Sequence, residues 1–371
     1  AAQTVQSQAQ QITTFNSSGT LTTQPLTSEI EFLVVAGGGS GGRVGNGGGG
    51  GGGAGGLRTG TGNPVSGNSP YPITVGGGGA GVTDAGNGNA GSNSVLGTPT
   101  PITSAGGGFG GQNNSPSTPG TGNTGGDGGS GGGGGASNSR DNKGSGNTPP
   151  VSPSQGNDGG KGLGDFTNFG VGGGGGGAGA VGTGVTPSPT VSGGGGGNGS
   201  PSTISGSDVT YAGGGGGSGY YFAPNAPQHA SGDGGTGGGG DGGADFSVNN
   251  SGQAGTTNTG GGGGGAGGPT SGAGGSGVVI VKEAALAIAS SCWDLRTVYR
   301  QIKADKTNFI RETGSRSWGT LGLKDVNWDP LTSEEITLTM LLKESKKRQD
   351  PQYENDKKRF KEKFGWLPKW A

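Results

Sequence analysis

Between residues 37 and 277 the chain gives up its side chains in blocks. Glycine runs occupy 37–56, 76–81, 106–111, 125–135, 172–179, 193–199, 213–219, 234–243, 260–268 and 272–277, with polar, Pro-containing connectors between them. A residue without Cβ has no side chain to bury and loses the most backbone freedom on folding. Whatever orders these runs must therefore act through the backbone. The whole chain has 101 Gly and 20 Pro in 371 residues, against a usual joint share of roughly 12%. Leu, Ile, Val and Phe together make 55 of the 371, below the roughly 20% at which a chain supplies an ordinary core. A conventional enzyme domain is excluded on this ground. The formal charge is only −1, so the high-charge signature of disorder is missing as well.

Strict Gly at every third position over a long stretch, as a collagen triple helix requires, is not present. The remaining physical solution is a bundle of short polyproline-II strands that pack backbone on backbone and exchange N–H and C=O groups with their neighbours. Eight residues at about 3.1 Å each span roughly 25 Å, so such runs would form a slab with connectors exposed at both ends. Fixing each Gly costs on the order of 1–2 kcal/mol and a typical net hydrogen bond returns about 1, so bonding must be dense.

Conventional strands flank the slab. Ile12-Thr-Thr-Phe15 and Thr20-Leu-Thr-Thr23 surround the turn cluster Asn16-Ser-Ser-Gly19, and Glu29–Ala36 is rich in β-branched residues, which predicts three strands over 11–36. Gly277-Val-Val-Ile-Val-Lys282 predicts a closing strand, and Val278–Val281 is expected to lie beside Phe32–Val35. The reading is a mostly irregular polyglycine-II sandwich on a small β-base, followed by an α-helical C-terminal segment. Its divisions are an arm over 1–10, base strands over 11–36, the sandwich over 37–277, a closing strand over 278–283 and helices over 284–371.

Composition changes near Val281. Residues 1–281 hold 97 of the Gly with 5 Lys+Arg against 11 Asp+Glu, whereas 282–371 hold 18 against 13 and all five Trp. Ser291 caps a predicted helix in which Leu295, Val298, Tyr299 and Ile302 repeat at helical spacing beside Trp293. Thr332-Ser-Glu-Glu335 is a capping box before Ile336, Met340 and Leu341. Asp350-Pro351 opens a third helix carrying Tyr353, Phe360 and Phe364, stopped by Gly365 and followed by Trp366 and Trp370. The clusters Lys346-Lys-Arg348 and Lys357-Lys-Arg359 give these helices basic faces suited to an acidic partner surface. Acidic residues interspersed among them favour i,i+4 pairing over nucleic-acid binding.

Chemistry-bearing residues are few. One Cys, Cys292, excludes a disulfide framework and a Cys-based zinc site, and fits a reducing site of synthesis. One His, His229, in a polar connector, excludes a His-based metal cluster or a Ser-His-Asp set within one chain. Gly-x-Gly-x-x-Gly recurs because 96 of residues 37–277 are Gly, and no copy follows a strand and opens a helix. Gly159-Gly-Lys161 lacks the following Ser/Thr of a P-loop. Asp233, Asp241 and Asp245 lack the nonapeptide period of calcium-binding repeats and read as solvated loop carboxylates. No cofactor, metal or nucleic acid is expected, nor a membrane span or signal peptide. Aromatic residues in or beside connectors, Phe109, Phe166, Phe169, Tyr220, Tyr221 and Phe222 together with Tyr71 and Tyr211, either plug the slab ends or present a recognition surface.

The opening Phe32-Leu-Val-Val-Ala-Gly-Gly-Gly-Ser-Gly-Gly42, the successive poly-Gly runs and the closing Gly274-Gly-Ser-Gly-Val-Val-Ile-Val281 resemble the glycine-rich domains of bacteriophage virion proteins, among them tail-fibre tip adhesins built as polyglycine-II sandwiches. The stretch Trp293–Lys303 is similar to short modules of phage structural proteins. The resemblance implies a non-enzymatic protein on the virion surface, at the tail-fibre or tail tip, whose distal loops contact a host receptor, a glycan or an outer-membrane protein. It further implies an oligomer within the particle, joined to other virion proteins through the C-terminal helices. A capsid decoration or head fibre would share the same parts. An ice-binding protein would want flat arrays of small apolar residues and disulfides, and a cell-wall protein a signal peptide.

Overall fold

The computed structural model describes residues 11–25, 27–45, 48–112, 124–137, 141–164, 169–185, 192–221, 230–243, 251–285, 342, 346 and 353–364, with 169, 220–221, 284–285 and 363–364 described by backbone alone. The chain divides into two compact units, Ala9–Leu286 and a second formed by Ala1–Gln8 with Ala287–Ala371. Among the described residues, strand and irregular backbone dominate and helix is confined to the second unit.

The expected pairing of the flanking strands is present. Strand β1 (Gln11–Phe15), β13 (Val278–Ala285), β3 (Thr27–Val35) and β4 (Leu57–Pro64) form one antiparallel sheet in that order, with Val278 opposite Val35 and Val281 opposite Phe32. The base is larger than the sequence suggested. A second antiparallel sheet, β2 (Gly19–Thr22), β5 (Pro70–Thr74), β6 (Ser94–Leu96) and β7 (Ile102–Ser104), packs on the first. Its strand β2 is the one expected at Thr20–Thr23, whereas β5, β6 and β7 were missed, because β5 is interrupted by Pro and β6 and β7 are only three residues long, which weakens any alternation signal.

The alternation of β3 and β13 explains their continuous apolar spelling. Ile30, Phe32, Val34, Val279 and Val281 face the second sheet and meet Leu21, Tyr71, Ile73, Leu96 and Ile102. Leu33, Val35, Val278 and Ile280 face the other way, into a cluster with Ala54, Ile204, Tyr211 and Ala212. That cluster is covered by the hairpin of β10 (Ser200–Ser202) and β11 (Val209–Tyr211). Strands buried on both faces lose the polar alternation of a half-exposed strand. At the end of β13, Glu283 is buried and its Oε2 accepts hydrogen bonds from the Gln24 amide (2.8 Å) and the Thr27 hydroxyl (2.6 Å). The closing strand therefore extends to Ala285, past the expected limit at 283.

Outside the base the backbone hydrogen bonds carry the order, and their register has a period of three. The amides of Gly37, Gly38 and Gly39 donate to Ser92, Gly275 and Gly53; those of Ser40, Gly41 and Gly42 donate to Asn89, Gly272 and Gly50. Each step of three residues returns to the same neighbour, three residues earlier in that neighbour, so these three neighbours run antiparallel to 37–42. The pass 48–56 is fully enclosed. Its amides reach three neighbours, with Gly50 and Gly53 donating to Gly111 and Gly108, Gly51 and Ala54 to Gly173 and Gly176, and Gly52 and Gly55 to Gly263 and Gly260. Its carbonyls serve three others, accepting from Gly42 and Gly39, from Gly133 and Ser130, and from Ser218 and Gly215.

This arrangement sets where glycine is obligatory. A Cβ at Gly51 would stand 2.1 Å from the Gly215 carbonyl oxygen, and the same holds on the other two faces of this pass. Outer passes need glycine only where the backbone of a neighbour faces them. In 156–162, Gly156, Gly159 and Gly162 face backbone of the 129–135 pass and Gly160 faces the Thr183 carbonyl, while Asn157, Asp158 and Lys161 are free of that constraint. Several polar stretches read as connectors are thus passes of the slab: 86–93, 142–147, 181–185 and 251–256 all donate amides into it. The constraint also follows the neighbour rather than position within a run. Gly77 lies inside the 76–81 run, yet no atom comes within 4 Å of a Cβ placed there.

In the second unit, helix α1 (Tyr353–Phe364) has Glu354 and Asp356 in its first turn, where carboxylates favour the helix dipole. Lys357 lies 5.7 Å and Lys346 6.0 Å from the Tyr353 ring centroid, within cation–π range. The helices expected from Ser291 and Thr332 fall almost wholly outside the described residues.

Two measurements test the slab. Gly51→Ala should cost at least about 3 kcal/mol, on the order of 10 °C in melting temperature, because only backbone can give way. Gly77→Ala should stay within about 1 kcal/mol and lean toward stabilisation, since it only stiffens the unfolded chain. Calorimetry of the two variants decides, and an equal response would contradict the enclosed-pass account. At the slab edge, the Lys143 ammonium bonded to the Asp158 carboxylate, with a further bond from the Gly146 amide at 2.9 Å, holds the Asp158 pKa below its ordinary value against the opposing effect of burial. A lowered folded pKa gives stability that is present above the unfolded value of 3.8 and lost as pH falls through the folded one. The Asp158 side chain is 41% exposed, so solvent screens the pair. Asp158→Asn should cost less than about 1 kcal/mol at neutral pH. In urea titrations the two proteins should converge as pH falls through the folded pKa of Asp158.

Candidate recognition pole

The direction of each pass places the two ends of the slab. The passes 37–44, 76–82 and 105–112 leave the base from β3, β5 and β7, and 48–56 returns to it as β4. The pass 172–178 runs parallel to 48–56 and also travels toward the base, whereas 212–218 runs against it. What precedes Gly172 and follows Ser218 therefore sits at the pole away from the base.

That pole carries a sheet of its own, β12 (Gly219–Tyr221), β9 (Phe169–Val171) and β8 (Leu163–Gly164), all antiparallel. Tyr221 is registered with Phe169, and Tyr220 with Gly170. Phe169 and the pair Tyr220 and Tyr221, far apart in sequence, are thus brought onto adjacent strands. The sheet is fixed from below, because the Ser218 hydroxyl accepts from the Gly49 amide at 2.7 Å and the Gly172 amide donates to the Ser218 carbonyl at 2.9 Å. Connectors 46–47, 113–123, 138–140, 165–168, 186–191, 222–229 and 244–250 have flanking residues at the same pole and are themselves outside the described residues. With them go Phe166, Phe222, His229 and Asp245.

The other candidates separate. Phe109 lies within the pass 105–112, half buried, with its ring over Gly126, where a Cβ would stand 2.6 Å from it. Tyr71 and Tyr211 are core residues of the base, 7% and 6% exposed, and the Tyr71 hydroxyl accepts from the Ser66 amide at 2.7 Å. Phe360 is 1% exposed within its own chain, so a partner of α1 would meet other residues of that helix. Phe364 is placed in α1 by its backbone, and Trp293, Leu295, Val298, Tyr299, Ile302, Trp366 and Trp370 lie outside the described residues.

Carboxylates near the slab serve the backbone. The Asp241 Oδ1 accepts from the Gly234 amide at 2.8 Å and the Asp127 Oδ1 from the Ser145 amide at 2.6 Å. Among the described residues no three His, Cys, Asp or Glu side chains converge as a metal site would need. Lys161 of the Gly159-Gly-Lys161 stretch is 3.5 Å from Asp141, and the amide of Gly160 is spent on the Gly174 carbonyl. No signal in the sequence pointed to the register of Phe169 with Tyr221, because it depends on how passes separated by some fifty residues stack.

A family described as a glycine-rich domain matches the chain over residues 13–283, from the first base strand to the closing one. The chain belongs to this glycine-rich domain family. No curated protein matches it.

Proposed function

We propose that this chain is a non-enzymatic structural and binding protein of a bacteriophage particle, a polyglycine-II sandwich that serves as a tail-fibre or tail-tip adhesin. Its pole away from the base faces a host-surface receptor, a glycan or an outer-membrane protein. Residues 286–371 attach it to other virion proteins, and it works as an oligomer on the virion surface. The period-of-three register of the passes supports the sandwich, since polyproline-II backbone has three residues per turn and no internal hydrogen bonds, so every polar group is available to a neighbour.

The observation that carries the receptor-facing role is the delivery of Phe169, Tyr220 and Tyr221 to adjacent strands at the pole where the long connectors also end. Aromatic side chains on a rigid platform give large contact area at low entropic cost, and connectors beside them are free to vary without disturbing the slab. The attachment role of the C-terminal segment is supported by where the first unit ends, its closing strand β13 lying in the base.

Immunogold or cryo-electron localisation on intact particles tests the assignment. Label at fibre or tail tips supports it, label over the head makes the chain a decoration or head fibre, and no label on any particle removes the virion reading. Tyr220→Ser with Tyr221→Ser should reduce host-cell binding at least about tenfold at an unchanged melting temperature, as loss of interface aromatics does. Retained binding would reduce both to structural residues. A chain ending at Ala285 should fold and fail to join the particle. One ending at Lys282 is a poorer probe, because it also deletes Glu283 and its bonds to Gln24 and Thr27.

A further inference from the structure

A concave surface lies at the base, away from the aromatic pole. The hairpin β10–β11 crosses the face of the first sheet only in part, where Ile204 and Tyr211 meet Leu33 and Ile280. Beside that contact remains a cleft of about 520 Å³, between β3–β4 on one side and the hairpin on the other. It falls in the roughly 300–1,000 Å³ range of small-molecule sites. On the sheet side it is lined by Glu31, Thr59 and Thr61, and on the hairpin side by Ser202, Thr203 and Asp208, with Pro201 and Ile204 as apolar surface.

The sheet is irregular at this place. Ile30 pairs with Asn63 and Phe32 with Gly60, so β4 carries one extra residue opposite Glu31, and Gly62 takes a φ of 65°. A bulge with a left-handed glycine bends an edge strand and re-aims its side chains, and such bulges are over-represented beside binding sites.

The charges separate the possible ligands. Glu31 is paired with Lys282 at 3.1 Å, which neutralises it and leaves Asp208, exposed, as the carboxylate of the cleft without a salt bridge among the described residues. A single such carboxylate is too little for a divalent cation held by protein oxygens. An anion would meet an acidic lip. A neutral polyol fits both facts: a carboxylate accepts two neighbouring hydroxyls, Thr and Ser hydroxyls give or accept the rest, and Pro201 and Ile204 offer apolar surface to a sugar C–H face.

We propose that this cleft binds a neutral saccharide unit, with Asp208 and Thr59 as its main hydrogen-bonding groups. The site is separate from the aromatic pole and stands independently of the adhesin reading. Saturation-transfer NMR of the full chain with neutral methyl hexosides tests it. A hexoside should receive saturation, and Asp208→Ala and Thr59→Val should each weaken its binding at least about tenfold without lowering the melting temperature. The Tyr220→Ser, Tyr221→Ser protein should bind it unchanged. The proposal is overturned by an absence of transfer to every hexoside, by binding that survives both cleft substitutions, by binding lost only in the tyrosine variant, or by a calcium-dependent shift that Asp208→Ala abolishes in place of saccharide binding.

Discussion

The backbone amide-to-carbonyl bond between neighbouring passes is the interaction on which this protein rests. Elsewhere such bonds are mostly local or confined to sheets, and apolar burial supplies the driving force. Here the enclosed pass 48–56 bonds to three neighbours through its amides and three more through its carbonyls. Each bond is modest, about 1 kcal/mol net, and each glycine costs at least as much to fix. Dense backbone contact must add dispersion attraction, as it does in any close-packed interior. That requirement excludes Cβ wherever the backbone of a neighbour occupies its place, as at Gly50, Gly51 and Gly52, while Ala54 and Ser40 keep theirs where no such backbone stands.

A lattice of this kind needs a boundary that starts it in register, and the base supplies one. The strands of both sheets feed directly into passes, and polar side chains complete the bonding where strand geometry changes to lattice geometry. The Ser94 hydroxyl accepts from the Gly76 amide and donates to the Val35 carbonyl; the Ser104 hydroxyl donates to the Val34 carbonyl; the Gln155 Oε1 accepts from the Ala105 amide. Each is a buried group whose removal leaves backbone unpaired. At the outer edge Asn takes the same part, with Asn87 and Asn93 accepting from the Gln112 and Gly106 amides. Side chains in this slab thus finish a pattern that the backbone begins.

Much of the fold was legible. Phe32–Val35 and Val278–Val281 announced themselves as buried strands, and their pairing follows from chain closure. Of the second sheet only β2 was legible, since Pro70-Tyr-Pro-Ile-Thr74 reads as a broken segment until its neighbours bury Tyr71 and Ile73. Outer passes were hidden for a different reason. In 86–93 only Gly88 and Gly91 face backbone, and the Asn, Ala and Ser between them look like a loop. The candidate site was legible as a set of aromatic residues but not as a place, because Tyr71 and Tyr211 share their residue type with Tyr220 and Tyr221 and go to the core.

The sequence by itself determined the material: too little apolar area for an ordinary core, glycine in runs long enough to cross a slab, and two strands able to close it. These follow from side-chain volume and backbone freedom, which are local properties. The tertiary structure decided which glycines are irreplaceable, which polar stretches join the lattice and which aromatics lie on adjacent strands at the far pole. Those depend on the neighbour that each pass is given. Gly51 and Gly77 are the same residue in similar runs, and only the carbonyl 2.1 Å from the first makes it different.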